Sequence, residues 1–273
     1  LLGYNPRFNK ISVKQAVINN NSADLIIAEV FDNKQLYNVT NTLKNVLYSE
    51  HITLKVNLHQ KIIIKFPYMI PKTHIVTKQN VPNIEGDVCI WRPALWKGKG
   101  IHVVTSQEQL KRIHKNYYKS NPLSQVLLTK YITDPILYKG KKLHLRIYFA
   151  VVIHNNITKT YLFKDGNIHT AKLPYKKRDY QNKQIHDTHL GSTKKDLYFP
   201  QDFPRKDLVP STYKQMKKIL TDISRESITE FSCYPESKSC VEILGVDFMV
   251  TREGKVYLIE INNKVGYKTK SNK

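Results

Sequence analysis

The spacing of apolar residues predicts a chain of short strands with a few helices between them. Helical spacing covers Lys34–Leu47 and Ser211–Ser224. Another helix is predicted to begin at Ser106, because Gln109 completes a capping-box pattern three residues later. The pattern becomes rich in strands after Pro135. The predicted strands are Lys61–Phe66, Asp87–Arg92, Ile101–Thr105, Gln125–Ile132, Leu143–His154, Thr160–Phe163, Val246–Val250 and Val256–Ile261.

Turn residues divide these strands into hairpins. Gly140–Lys142 is predicted to turn the chain before the strand that starts at Leu143, and Lys164–Asn167 is predicted to end the strand after it. The last two strands form a hairpin across the residues TREG, 251–254. Residues 172–207 are polar without a regular pattern, and a stretch of that length is usually functional or mobile.

Composition excludes several classes of protein. Apolar segments run along most of the 273 residues, which excludes a disordered chain. No apolar run reaches the roughly 18–20 residues that a membrane helix needs, since Arg146 interrupts the longest one. Three cysteines are too few for a disulfide scaffold, so we expect a reducing, cytoplasmic compartment. Cys233 and Cys240 would pair only in an oxidising one.

The charge requires an explanation of its own. There are 44 Lys and Arg residues against 22 Asp and Glu, a formal net charge of +22. Such a surplus attracts polyanions, namely nucleic acid, an anionic membrane surface or an acidic protein segment, and composition does not choose among them. A coding bias toward Lys and Asn is the alternative, and it would fit the AT-rich genome of a large DNA virus or a protist.

Asp247, Glu260 and Asn262 form the most specific polar group. Glu260 and Asn262 lie two apart on one predicted strand, so their side chains share a face. Asp247 joins them if the hairpin loop has two or four residues, whereas a three-residue loop turns it away. Two carboxylates and an amide oxygen suit Mg²⁺. A solvent-facing polar face of an antiparallel sheet explains the spacing about equally well.

Basic residues supply a second group. The loop Lys97-Gly98-Lys99-Gly100, followed by Ile101, can form an anion nest, although a basic hairpin turn is the more common explanation. Cations also occur on predicted strands, where Lys142, His144 and Arg146 share one face. Cations that converge on a carboxylate–metal site would bracket a triphosphate, and a solvated strand face is the alternative. The strand cations are Arg92, Lys130, Lys142 and Arg146.

Two segments resemble the tubulin–tyrosine ligase-like family. They are LTKYITDPILYKGKKLHLRIYFAV over Leu128–Val151 and EILGVDFMVTREGKVYLIEIN over Glu242–Asn262. The loop over Cys89–Ile101 and Pro71–Thr73 match shorter elements of that family, in the family's order. The resemblance implies an α+β ATP-grasp fold with a small N-terminal domain, residues 1–77, a central subdomain, residues 78–131, and a C-terminal subdomain, residues 132–273, with ATP between the last two.

The resemblance also implies a reaction and its residues. An ATP-dependent ligase would join a free amino acid, glutamate first and glycine or tyrosine as alternatives, to an acidic protein such as a tubulin tail through an acyl phosphate. A monomer that associates with microtubules rather than membranes is expected, with nucleic acid as second-choice partner. The catalytic residues would be Lys142, His144 and Arg146, and the amino acid would be contacted by Lys164 and His169. Mg²⁺ would be held by Asp247, Glu260 and Asn262. ATP would be bound by Arg92, Lys97, Gly98, Lys99, Gly100, Ile101, Lys130, Tyr131, Ile132, Lys142 and Arg146.

Three departures from the family's motifs favour an alternative. Arg92 replaces a lysine, His144 replaces an aspartate, and Ser192 falls within a weak match that begins at His189. Arg and Lys differ in geometry, so the first exchange is not neutral. The alternative is a catalytically degenerate ATP-grasp protein that serves as a basic binding or structural protein. Retention of all three metal-site residues favours an active, divergent enzyme.

Overall fold

The computed structural model describes residues 47–84, 86–94, 100–191, 197–233 and 239–263. Nearly all of the predicted helix Lys34–Leu47, the basic loop Lys97–Lys99 and Ser192 lie outside these ranges. The described part is an α+β fold of antiparallel sheets with few helices, as the resemblance implies. No helix within these residues combines the length and the apolarity needed to cross a membrane.

The larger sheet carries most of the polar groups of interest. Its strands lie in the order β12-β11-β7-β8-β9, and β6 pairs with β7 at one end. Every pairing in it is antiparallel. The bounds are β6 Leu137–Tyr138, β7 Lys141–His154, β8 Ile157–Thr170, β9 Leu197–Phe199, β11 Ser239–Val250 and β12 Val256–Asn262.

A second sheet of four strands forms the centre of a separate hydrophobic core. Its order is β2-β5-β3-β4, and Trp91 is completely buried at its centre. The N-cap Ser106 begins helix α3 by accepting a hydrogen bond from the Gln109 backbone, as the capping-box pattern predicts. The bounds are β2 Thr73–Val76, β3 Cys89–Pro93, β4 His102–Val104, α3 Gln107–Ser120 and β5 Val126–Lys130.

Helices from the early and the late part of the described sequence pack against the larger sheet. α5, Val209–Ser227, buries Met216, Leu220 and Ile223 at helical spacing. α1, Glu50–Thr53, and α2, Lys55–Lys65, add Ile52, Leu58 and Ile62 to the same core. Strand β2 belongs to the smaller sheet although it precedes residue 77, and the domain boundaries at 77 and 131 remain predictions.

The predicted strand Lys61–Phe66 is wrong, because these residues belong to helix α2 and its end. Three consecutive isoleucines suggest a strand, and periodicity over so short an apolar run does not separate the two. Leu58 and Ile62, four residues apart, are buried on one side of the helix. Ile64 points outward and is 81% exposed, as a helix requires.

The predicted turn at Lys164–Asn167 is also wrong. These residues continue β8, which pairs with β7 along its whole length except at a bulge opposite Tyr148. Gly166 lies so close to β7 that a Cβ there would be 2.5 Å from the Arg146 carbonyl oxygen. The glycine therefore serves a close strand contact rather than a turn.

The polar stretch over residues 172–207 contains more structure than its composition predicts. It includes a short helix α4, Lys183–His186, strand β9 and a 3₁₀ turn, Lys206–Leu208. Its backbone is attached to the larger sheet, since the Tyr175 amide donates to the Gly140 carbonyl oxygen. Several of its side chains line the candidate site described below.

Cys233 and Cys240 form a disulfide, which differs from the expectation of reduced thiols. Strand β10, Ser232–Cys233, pairs with the short strand β1, Leu47–Tyr48. The Cα atoms of Cys233 in β10 and Cys240 in β11 lie 5.7 Å apart, a separation within the range of disulfides. Seven residues separate the two cysteines in sequence, so only the fold decides whether they meet. Cys89 is a buried free thiol in β3.

Candidate active site

Two carboxylates face each other on neighbouring strands of the larger sheet. Asp247 on β11 and Glu260 on β12 are paired across the strands, so their side chains share one face. The Asn262 amide lies 3.4 Å from Asp247 and 3.2 Å from Glu260 through its nitrogen. The three residues proposed from spacing are therefore brought together.

A β-bulge decides this pairing. Val250 pairs with Val256, so five residues lie in the hairpin loop, and an odd loop by itself would place Asp247 and Glu260 on opposite faces. The register shifts by one residue between Asp247 and Phe248, which restores the shared face. The Ile259 carbonyl oxygen within the bulged segment accepts a hydrogen bond of 3.0 Å from Arg92.

Three cations surround the carboxylates. Arg146, paired with Asp247 across β7 and β11, donates through Nε and Nη2 at 2.7 and 2.6 Å, a bidentate contact. Lys55 of helix α2 lies 3.0 Å from Glu260. Arg92 reaches the same point from the smaller sheet and is 7% exposed, so the site lies where the two sheets meet.

The local electrostatics follow from burial and these cations. Burial opposes ionisation of Glu260, but Lys55 and Arg92 outweigh it and lower its pKa to about 2. Burial raises the pKa of Asp247, and the Arg146 guanidinium opposes that change. A buried carboxylate, a partly buried carboxylate and an amide are a donor set that fits Mg²⁺, because hard cations prefer oxygen ligands.

Lys142 is a buried amine on β7, four residues before Arg146. It is 4% exposed, and its Nζ lies 2.9 Å from the Tyr131 hydroxyl and 4.2 Å from the centre of that ring. The Tyr131 hydroxyl also meets His186 Nδ1 at 2.6 Å. Burial lowers the pKa of Lys142 to about 7, although the negative charge of Asp187 acts to raise it.

Three imidazoles lie on the other side of Asp247. His144 and His169 are paired across β7 and β8, and their rings stack with centroids 4.7 Å apart. His189, from the polar stretch, brings its ring centroid within 5.0 Å of that of His144. Burial lowers the pKa of His144 well below its usual value, and neighbouring cations add to this.

The remaining residues proposed from sequence lie at different places. Tyr131 and Ile132 are buried, and Tyr131 contacts Lys142. Lys130 points outward to Asp87 at 2.8 Å and is half exposed. Gly100 has a positive φ of 71° at the edge of the undescribed basic loop. Lys164 is exposed in the bulge of β8 and makes no contact with the cluster among the residues that the structure describes.

Sequence reasoning missed several residues of the site. Lys55 lies just before Lys61–Phe66, which was predicted to be a strand, so it was not considered for the site. The spacing of four residues between Lys55 and His59 is the helical signal that was available. His186 and Asp187 lie in the polar stretch, where only the partial motif at His189 indicated function. These residues come from segments distant in sequence, so no local pattern links them to Asp247.

The fold and the charged contact between its two sheets define an ATP-grasp protein. A family model described as "Tubulin-tyrosine ligase family" matches residues 31–196 and 190–265. The chain belongs to this family, since the match covers most of its length.

Curated relatives agree with this assignment at low identity. The chain is 28% identical over 149 residues to a probable tubulin–tyrosine ligase of Schizosaccharomyces pombe, covering 52% of this chain and 36% of the relative. It is 23% identical over 208 residues to tubulin polyglutamylase TTLL13 of Mus musculus, covering 64% and 24%. It is 28% identical over 187 residues to a probable alpha-tubulin polyglutamylase of Tetrahymena thermophila, covering 61% and 45%. The matches thus span less than half of each relative's length.

Proposed function

We propose that the protein is an ATP-dependent carboxylate–amine ligase that attaches an amino acid to an acidic protein acceptor such as a tubulin tail. The observation that carries the proposal is the paired Asp247 and Glu260 with Arg92 and Arg146 beside them, where the two sheets of an ATP-grasp fold meet, and the buried Lys142 on the same strand as Arg146. Relatives named as tubulin polyglutamylases and a tubulin glycylase support this class of reaction and acceptor.

The proposed reaction has two steps. An acceptor carboxylate oxygen attacks the γ-phosphorus of ATP, which forms an acyl phosphate and releases ADP. The amine of a free amino acid then attacks the acyl carbon, so that an amide bond forms while inorganic phosphate and a proton leave. Glutamate is the preferred amino acid of the proposal, with glycine and tyrosine as the other candidates.

The side chains of this chain supply binding and charge compensation. Lys142 and Arg146 would contact phosphate oxygens, and negative charge spread over the transferring group is stabilised by such cations. Asp247, Glu260 and Asn262 would hold Mg²⁺, which neutralises phosphate charge when bound. Arg146 would then exchange part of its contact with Asp247 for a phosphate oxygen. Lys55 and Arg92 keep Glu260 ionised and ready to bind a cation.

The remaining positive charge is proposed to form an approach surface for the acceptor. The protein has a formal net charge of +22, and few of these charges lie at the site. A basic surface raises the encounter rate with an acidic tail. A monomeric protein in the cytoplasm is the corresponding proposal for its state and location, and in that reducing compartment the Cys233–Cys240 disulfide would be open.

The decisive experiment combines incorporation, ADP release and thermal stability. Purified protein is incubated with Mg-ATP, tubulin and labelled glutamate, glycine or tyrosine, and one of them is expected to be incorporated. Asp247→Asn is expected to abolish incorporation. Asp207→Asn is the matched control, because that aspartate also pairs with an arginine, Arg205, but is exposed and remote. Absence of incorporation and ADP release with every amino acid, together with no effect of Mg-ATP on the melting temperature, would refute the proposal.

A further inference from the structure

The imidazole group beside Asp247 has the composition of a transition-metal site. His144, His189 and Asp247 each offer one ligand atom, and these atoms lie within 4.8 Å of one another. Imidazole nitrogens suit Zn²⁺ and related ions, whereas Mg²⁺ prefers oxygen ligands. This group therefore differs in chemistry from the oxygen donors of Asp247, Glu260 and Asn262.

Both histidines are oriented through their Nδ1 atoms. His144 Nδ1 lies 2.6 Å from the Thr188 hydroxyl, and His189 Nδ1 lies 3.1 Å from the Asp187 carboxylate. In histidines that bind metal, the ring nitrogen that does not bind the ion almost always donates its N–H to an outer partner. This hydrogen bond holds the ring and directs the lone pair of the other nitrogen toward the metal. His144 thus presents its Nε2 to Asp247 Oδ1, and the His189 ring offers a ligand atom within 4.8 Å of those of His144 and Asp247.

The Nε2 atom of His144 supplies an independent observation. The residue is 4% exposed, and this nitrogen has no hydrogen-bond partner among the described residues. It lies 3.7 Å from Asp247 Oδ1, which is too long for a hydrogen bond. Two ligands of a tetrahedral Zn²⁺ are about 3.4 Å apart, as bond lengths of about 2.0–2.2 Å require. The distance of 3.7 Å between His144 Nε2 and Asp247 Oδ1 is therefore close to the distance between two ligand atoms of the same metal ion.

We propose that His144, His189 and Asp247 bind one divalent transition-metal ion, of which Zn²⁺ fits the donor set best. Asp247 Oδ1 already accepts a hydrogen bond of 2.7 Å from Arg146 Nε, and it has a further acceptor position for this ion while Arg146 Nη2 keeps its contact of 2.6 Å with Oδ2. Two imidazoles and one carboxylate leave the fourth tetrahedral position open, which is the arrangement of catalytic rather than structural zinc sites. That position would take a water molecule or a carboxylate or phosphate oxygen.

Metal binding is tested with the metal alone, without nucleotide or Mg²⁺. Protein without a histidine tag is stripped with a chelator and titrated with Zn²⁺ against a chromophoric competitor. One Zn²⁺ per chain is expected, and excess Mg²⁺ is not expected to displace it. Substitution with Co²⁺ is expected to give visible absorption bands of a four-coordinate ion with nitrogen and oxygen ligands.

His189→Ala is the informative variant, because the His189 side chain is 54% exposed and its loss removes a ligand without opening the core. It is expected to weaken Zn²⁺ binding by at least about tenfold, since even loss of an outer partner costs about 10–100-fold. His154→Ala, at the other end of β7, is the matched control and is expected to bind as the unmodified protein does.

Three results would overturn the proposal. They are the absence of stoichiometric Zn²⁺ binding, unchanged affinity in His189→Ala, and a thiolate band in the Co²⁺ spectrum, which would place the ion at the cysteines. None of them depends on ligase activity, so failure of this proposal is distinguishable from failure of the proposed function.

Discussion

Lys142 provides a prediction that links stability to pH. Its amine is buried against the Tyr131 ring, and its pKa is about 7 in the folded protein. An unfolded chain has a lysine pKa of about 10.4. Between these two values the unfolded state binds more protons than the folded state, so stability is expected to rise with pH across this window.

The magnitude follows from the difference between the two pKa values. Each pKa unit corresponds to about 1.4 kcal/mol, so the full window from pH 7 to about 10.4 is worth about 4–5 kcal/mol. Below pH 7 both states are protonated and the whole penalty for a buried charge is present. Between pH 7 and pH 9 the expected gain in the free energy of unfolding is about 2 kcal/mol.

The assay compares the natural protein with Lys142→Met. Urea denaturation is measured from pH 6 to pH 9.5, and the variant's free energy of unfolding is subtracted so that other titrating groups cancel. The difference is expected to favour the variant at pH 6 and to shrink by about 2 kcal/mol between pH 7 and pH 9. Lys141→Met is the matched control, because its side chain is half-buried on the opposite face of β7. A difference that does not change with pH would refute the reasoning.

The same amine predicts proton uptake on nucleotide binding. A phosphate beside Lys142 would favour its charged form and raise its pKa. At pH 8 most of these amines are neutral in the free protein, so binding of Mg-ATP is expected to take up close to one proton at this site. Calorimetry in buffers of different ionisation enthalpy measures this number, and a value near zero would argue against phosphate contact at Lys142.

Three further predictions concern stability and acceptor binding. Asp247→Asn leaves the Arg146 guanidinium without its carboxylate and is expected to cost about 3 kcal/mol in urea denaturation, whereas the exposed Asp207→Asn control is expected to cost less than about 1 kcal/mol. Ser106→Ala removes the cap of helix α3 and is expected to cost about 1 kcal/mol, with faster hydrogen exchange at the Gln109 amide. Binding of an acidic acceptor peptide is expected to weaken steeply with added salt, while nucleotide binding at the buried site changes much less, as parallel titrations would measure.

Parts of the fold with strong local patterns could be predicted from the sequence. The hairpin that carries Asp247 and Glu260, helix α3 with its cap, and helix α5 all follow from periodicity and capping residues within one segment. Lys61–Phe66 could not be predicted in this way. Its isoleucines fit either a helix or a strand, and only burial of Ile62 against the larger sheet selects the helix.

In the candidate site, too, local sequence patterns place some residues and tertiary contacts place the others. Alternation along one strand places Glu260 and Asn262 together, and the sequence by itself determines this. The five-residue loop leaves Asp247 on the wrong face until the bulge in β12 corrects the register, and the bulged segment accepts a tertiary hydrogen bond from Arg92. The approach of Lys55, His144 and His189 to these carboxylates was likewise decided by the tertiary structure alone. Local patterns record the conformation of a segment, whereas contacts between distant segments depend on how the sheets and helices bury their apolar faces.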